Sequence, residues 1–298
     1  MHLWLIVAGC SGGFSETEMV RIPEGTVILG PRHYPPVPGF VPPDAPTAPP
    51  KPPPDATGAP PQRLDGTEGA RRFGDRLRPR PVTVSAFSID RRETTNADYQ
   101  AFIETTGYPA PPHWADGKPS TTRLNHPVVM IRWADAVEYC RWRGKRLPTE
   151  AEWQLAALGA LDDGRVYPWG IDYDGRRLNH GQTEPPNTDD SDGFAETAPV
   201  GSFPGGRSPY GLDDVFGNVW EFTADFRTDR WDDYINDAGT PPHRGPNPIA
   251  GAHAPGPGLY VAVRGGSFLF DLRPNPGGER HAFLIEERSP AAGVRCAR

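Results

Sequence analysis

Sulfur is scarce in this chain, with three cysteines and three methionines among 298 residues. A disulfide-dense small scaffold is therefore excluded, and each cysteine has to be accounted for separately. Long apolar runs are missing too. No stretch of about 20 apolar residues follows the N-terminus, which excludes a spanning helix in the body of the chain. Basic clusters are absent and the net charge is -7. A phosphate-backbone partner would find no electrostatic footprint, so nucleic acid is not expected as a partner. What is abundant is proline (38) and glycine (34). Proline lacks a ladder donor and glycine loses the most entropy on ordering, so a chain dominated by helices or long strands is excluded and irregular backbone is expected. With 36% hydrophobic and 10% aromatic residues there is still enough to build a core, for one large domain or two small ones.

The apolar run Leu3–Ala8 ends in Gly9-Cys10 and gives way to Ser11-Gly12-Gly13 and polar residues. This resembles a bacterial lipoprotein signal without a basic n-region. The resemblance implies a signal peptide over 1–9, a membrane anchor of diacylglycerol on the Cys10 thiol, and a tether over 10–18. The location implied is the bacterial cell envelope, periplasmic or facing the outer membrane. The alternative is a buried N-terminal strand. If Cys10 is acylated, Cys140 and Cys296 remain as an even pair in an oxidising compartment and are expected to be bonded; the alternative is two buried free thiols.

Residues 19–30 alternate apolar and polar positions around Pro23-Glu24-Gly25 and read as a short hairpin. Residues 31–80 are dominated by Pro, Ala, Gly and charged residues, and read as extended or disordered chain of the kind that links domains. Pro81–Asp90 resumes as a strand. Thr95 with Asp98 caps a helix that turns Tyr99, Phe102 and Ile103 to one face. A second helix fits Ala134–Arg143, with Val137, Cys140 and Trp142 toward the core and Gly144 as its stop. A third starts at Thr149, where Thr149-x-x-Glu152 has the form of a capping box and Trp153, Ala156 and Ala157 supply a buried stripe. Beyond Gly159 turns and short strands are expected.

Several runs together carry a more specific signal. His126-Pro127-Val128-Val129 is followed by Trp133-x-Asp135-Ala136 and by Cys140-x-Trp142-x-Gly144 leading into Lys145–Trp153. Tyr167–Gly170, Ala198–Gly201, Gly211–Glu221, Arg264-Gly265-Gly266-Ser267 and Gly293–Ala297 come after in the same order. This set resembles the formylglycine-generating enzyme, or sulfatase-modifying factor, family. The resemblance places the start of the domain near Met19, so that it spans 19–298 and the proline-rich 31–80 becomes an insertion within it. It implies an α+β fold related to the C-type lectin fold, with few helices and small antiparallel sheets. It also implies a bond between Cys140 and Cys296, in agreement with the parity argument.

The oxidases of that family hold copper between two cysteines, three and eight residues after the serine of Arg-Gly-Gly-Ser. Counting from Ser267 gives Phe270 and Asn275. Neither offers a thiolate, and copper(I) favours soft sulfur, so formylglycine generation by the copper route is not expected. His180-x-x-x-Glu184 is the one ligand-like spacing nearby, and Pro185-Pro186 argues against a helix to support it.

Calcium is the cofactor the resemblance implies, at two sites. One would use the side chains of Asn179 and Asp192 with the carbonyls of His180 and Phe194. The other would use Asp214 and Glu221 with the carbonyls of Gly217 and Val219. By itself the stretch Asp189–Gly193 is an ordinary solvated turn, and Pro199 stands where an EF-hand would need its closing Glu. A groove is expected around Trp220, Arg264, Ser267, Asp271 and Arg273. There Glu279, Arg280 and His281 are candidates for acid–base work, against the plainer reading of a solvated charged run. No nucleophile–His–Asp triad is proposed, because Ser267 has no evident base partner. Two functions follow: a calcium-stabilised binding or assembly module that holds an envelope protein or peptide, or an enzyme that modifies a peptide or siderophore-type substrate outside the cytoplasm.

Overall fold

The computed structural model of the chain describes residues 18–29, 80–160, 165–182, 189–226, 260–273 and 280–298. Residues 1–17, with Cys10 and the expected signal peptide, and the proline-rich 30–79 lie outside this set.

The strands β1 (Met19–Ile22) and β2 (Gly25–Leu29) form where expected, but they do not pair with each other. β1 pairs antiparallel with β4 (Phe87–Asp90), and β2 with β3 (Arg80–Val84). Met19 faces Asp90, Ile22 faces Phe87, Gly25 faces Val84 and Leu29 faces Arg80, so one register runs unbroken through both ladders. The Pro23-Glu24 pair is thus a kink in one long arm rather than the turn of a hairpin. Pro23 cannot donate to a ladder, and the strand breaks there opposite Ser85-Ala86.

The three helices follow their local signals closely. In α1 (Asn96–Thr106) the Thr95 hydroxyl accepts from the Asp98 amide at 3.1 Å, and the Asp98 carboxylate accepts from the Thr95 amide at 3.2 Å. Gly107 ends it in the left-handed region, φ 71°. In α2 (Trp133–Trp142) Asp135 reaches back to the Arg132 amide at 2.9 Å, and Ala136, Tyr139 and Cys140 face the core. α3 (Glu150–Leu158) carries the expected box between Thr149 and Glu152. It is buried on every side rather than along a stripe, because its polar residues all find partners inside. Arg146 grips Glu152 through two bonds of 2.6 Å, and Gln154 donates to the Ile28 carbonyl at 2.9 Å.

The second half of the chain builds a four-stranded sheet in the order β7 (Arg280–Leu284), β6 (Tyr260–Arg264), β5 (Trp220–Phe226), β8 (Ala292–Gly293). Its pairs are antiparallel except β5 with β8. One core cluster joins the β1–β4 ribbon to α3, Tyr167 and Phe216. The other joins α1 and α2 to the sheet, and holds the disulfide between Cys140 and Cys296, whose Cα atoms are 5.6 Å apart. Through that bond and the bridges from Ala297 to Ile89 and Arg146, the last residues of the chain tie ribbon, helices and sheet together. Among the described residues no helix is long and apolar enough to cross a membrane. Few helices, small sheets and much irregular backbone make this the α+β, C-type-lectin-like architecture the sequence led us to expect.

Candidate functional site

The groove wall leaves β6 at Arg264 and, past residues 274–279, rejoins the sheet at Arg280 of β7. Asn275 and Glu279 lie outside the described residues. Arg264 and Arg280 are cross-strand partners, and two adjacent cations would repel. Glu150, at the first turn of α3 and fully buried, gathers both: Arg280 binds it bidentately at 2.7 and 3.0 Å, and Arg264 approaches at 3.7 Å. Arg264 also donates to Gln154 at 2.7 Å and lies over the Trp153 ring. The Glu150 amide in turn donates to the buried Asp225 at 2.6 Å. Arg280 is therefore a member of a buried ion-pair network, not a poised acid.

Ser267 is fully buried and its hydroxyl accepts from the Leu269 amide, so it presents no nucleophile to solvent. Asp271 and Arg273 form a bidentate pair at 2.8 and 2.5 Å. His281 is exposed on β7, and its ring joins an aromatic set. Its ring centroid is 5.5 Å from that of Trp220, 6.2 Å from Phe270 and 5.4 Å from Phe283. Phe270 meets Trp220 edge-on at 5.4 Å. At the position where the oxidases carry a copper cysteine, this chain thus sets a benzyl side chain against a buried indole.

The two residue sets expected to hold calcium lie on the turns that Gly211–Glu221 makes against residues 179–182 and 189–198. A Cβ at Gly217 (φ 83°) would come within 2.0 Å of the Asn179 carbonyl, so only glycine fits. That carbonyl accepts from the Asn218 amide at 2.9 Å, and the Asn179 side chain donates to the Asn218 side chain and to the Glu196 carbonyl. Asp192 is brought to the same turn, where its carboxylate takes the amides of His180 (2.8 Å) and Phe194 (2.9 Å). The other end of the Asn179 amide, its Oδ1, is buried without a donor among the described residues. An orphaned oxygen beside a fixed carboxylate suits a hard cation, so the first set fits calcium.

In the second set, Asp214 also has a buried oxygen, Oδ1, without a donor among the described residues. Its other oxygen takes the Gly201 amide. Burial, with the charges of Asp213 and Glu221, pushes Asp214 up to about 6 despite the Gly201 bond and Arg295. Glu221 does not fit as a ligand. Its Oε1 accepts twice from Arg295, and its Oε2 accepts from Arg295 at 3.0 Å and from the Trp153 indole at 2.6 Å, which fills its acceptor sites. Arg295 is fully buried and spends its remaining donors on the carbonyls of Asp90, Arg91 and Asp213.

Two residues central to this arrangement carried no signal in the sequence. Glu93 is buried, takes the Asn218 side chain at 2.6 Å, and is held well above the usual carboxylate range by burial and by the neighbouring charges of Asp214 and Glu221. Glu150 read as an ordinary acid in a first helical turn. Among the described residues, no three His, Cys, Asp or Glu side chains gather as a metal cluster.

Residues 12–298 match the sulfatase-modifying factor enzyme 1-like domain. The chain is 37% identical over 235 residues to the formylglycine-generating enzyme of Thermomonospora curvata, an overlap that covers 64% of this chain and 73% of that protein. It is also 37% identical over 187 residues to the inactive Cα-formylglycine-generating enzyme 2 of Mus musculus, covering 49% of this chain and 60% of that one. Among solved structures it is similar to PvdO from Pseudomonas aeruginosa, with a TM-score of 0.62 at 24% identity over 94% of this chain and 93% of that one, a likeness of fold. With its motifs, disulfide and architecture in agreement, the chain belongs to the sulfatase-modifying factor enzyme 1-like family.

Proposed function

We propose that this protein is a lipid-anchored, calcium-stabilised binding or assembly module of the bacterial cell envelope and not a copper oxidase. The observation that carries the reading is the replacement of sulfur at the groove. Phe270 stands at the first copper position and packs on Trp220, while Cys140 and Cys296, the cysteines of the described residues, are consumed in a disulfide. Copper(I) has no thiolate to bind there. A family relative whose own name calls it inactive supports the view that this scaffold persists without the oxidase chemistry.

Calcium would be held by Asn179 and Asp192 with the carbonyls of His180 and Phe194, where it would fix the turn that receives Gly217. When bound it supplies charge and rigidity. The groove around Trp220, Phe270 and His281 then serves recognition, on loops carried by a rigid frame. The partner expected is an envelope protein or peptide, and the anchor is Cys10.

The alternative, an enzyme that modifies a peptide or siderophore-type substrate, needs a proton-transfer group in the groove. The pairing of Arg280 with Glu150 weakens that reading, which then rests on His281 and on Glu279. Elemental analysis of the full chain purified without chelator decides between the classes. About one calcium per chain is expected. Stoichiometric copper or iron would overturn the module, and Cys10→Ser is expected to release the protein from membranes.

A further inference from the structure

Three backbone bonds hold the loop that follows β6 against the turns beneath it. Gly217 donates to the Gly265 carbonyl, Phe268 to the Asn218 carbonyl and Gly181 to the Phe270 carbonyl, each at 3.0 Å. The first two involve the Gly217–Asn218 turn. The third comes from the segment that begins the first calcium set, two residues after Asn179. It is also the bond that holds the backbone of Phe270, whose ring is 37% exposed and stands 5.4 Å from that of the buried Trp220.

A peptide unit is planar, and in its trans form the carbonyl and the N–H point in opposite directions. The carbonyl of His180 and the N–H of Gly181 belong to one such unit. The carbonyl is an expected ligand of the cation, and the N–H is the donor to Phe270. His180 is fixed from its other side as well, where its own amide donates to Asp192 at 2.8 Å. The Asn179 side chain is pinned through its nitrogen to Asn218 and the Glu196 carbonyl, while its buried Oδ1 has no donor among the described residues. A cation on a carbonyl oxygen draws electron density out of the amide and makes its N–H a stronger donor, by the same polarisation that strengthens hydrogen bonds arranged in chains.

We propose that the His180–Gly181 peptide unit couples these two places: a divalent cation of calcium type, held by the Asn179 and Asp192 set, tightens the bond from Gly181 to Phe270 and so fixes the Phe270 ring beside Trp220. The link rests on the calcium reading of the first set and gives the cation an effect on the groove. It is also reciprocal. The factor by which the cation strengthens the bond is the factor by which the bond strengthens cation binding. A calcium ion that only stiffened its own turn would leave Phe270 as it was.

The test uses the full chain labelled with nitrogen-15, in calcium chloride and in EGTA. Amide exchange is followed at Gly181, Gly217 and Phe268. The indole N–H of Trp220, assigned among the eight tryptophans with Trp220→Phe, reports the position of the neighbouring Phe270 ring. Calcium is expected to slow exchange at Gly181 about tenfold, the worth of one strengthened hydrogen bond, and at Gly217 and Phe268 by no more than about twofold. The Trp220 signal is expected to move at the same time. Asp192→Asn removes charge from the set and is expected to abolish both responses. Gly181 does not have a positive φ, so Gly181→Pro removes the donor at a position proline can take, and isothermal titration is expected to show calcium bound about tenfold more weakly. If that variant folds poorly, wild type against Asp192→Asn decides. Calcium that binds while Gly181 exchange is unchanged, or while all three amides slow by one common factor, overturns the link and leaves the calcium reading standing. So does a folded Gly181→Pro with wild-type affinity. If wild type binds no calcium, both fall.

Discussion

Replacing Arg295 by Met tests whether the centre of this fold is electrostatic. The guanidinium is fully buried and makes contacts to both oxygens of Glu221 and to the carbonyls of Asp90, Arg91 and Asp213. Methionine nearly conserves the volume, so the cavity contribution is small. What is lost is the partner of a buried carboxylate, which costs about 3–5 kcal/mol when one member of such a pair is removed. Three carbonyls also lose a charged donor, at roughly 1 kcal/mol or more each. These terms are not additive, and a total of at least about 4 kcal/mol is expected, a large fraction of the roughly 5–15 kcal/mol that holds a typical domain folded. Urea unfolding followed by tryptophan fluorescence measures it, with unchanged slope as the sign that the same surface is exposed. The double variant Arg295→Met with Glu221→Gln removes the stranded charge and keeps an acceptor for Trp153. It is expected to be more stable than Arg295→Met alone by about 2 kcal/mol or more. A cost for Arg295→Met below about 1 kcal/mol, or a double variant no better than the single, would refute the argument.

Asp214 gives a prediction in pH. Its folded pKa of about 6 lies above the unfolded value near 3.8, so the folded state holds the extra proton; the stability it contributes is present below 3.8 and lost as pH rises through about 6. In chelator, the stability difference between wild type and Asp214→Asn is expected to shift by about 2 kcal/mol between pH 4 and 7. A flat difference would mean that Asp214 titrates normally. Gly217→Ala is expected to destabilise severely or abolish folding, because its methyl would sit 2.0 Å from the Asn179 carbonyl at a φ of 83°. A thermal midpoint within a few degrees of wild type would contradict the close approach.

The local devices of this fold were legible in the sequence, and the pairings were not. Thr95 with Asp98 and Thr149 with Glu152 lie three residues apart, so the interaction that starts each helix is written within one turn. The partner of Met19 is Asp90, beyond the proline-rich segment, and alternation alone points to the nearest strand instead. The disulfide was legible by cysteine parity and by family resemblance. Glu93, Glu150 and Arg295 were not, as functional supports, because a charged residue in a sequence reads as exposed unless its partner is known. Their partners are Asn218, Arg280 with Arg264, and Glu221, all more than 70 residues away. For the same reason α3 read as a helix with one buried stripe, although Glu150, Glu152 and Gln154 draw its whole circumference inside.

The paired ends of the ribbon have a practical consequence. Leu29 faces Arg80 across the β2–β3 ladder, and Phe226 faces Val261 across β5 and β6. Each pair therefore acts as a socket that holds two points of the chain at a fixed separation. Loop closure grows only with the logarithm of length, so doubling an insert adds about 0.6 kcal/mol. Lengthening the chain between two such points is therefore expected to cost little stability while the disulfide-tied core holds them in place.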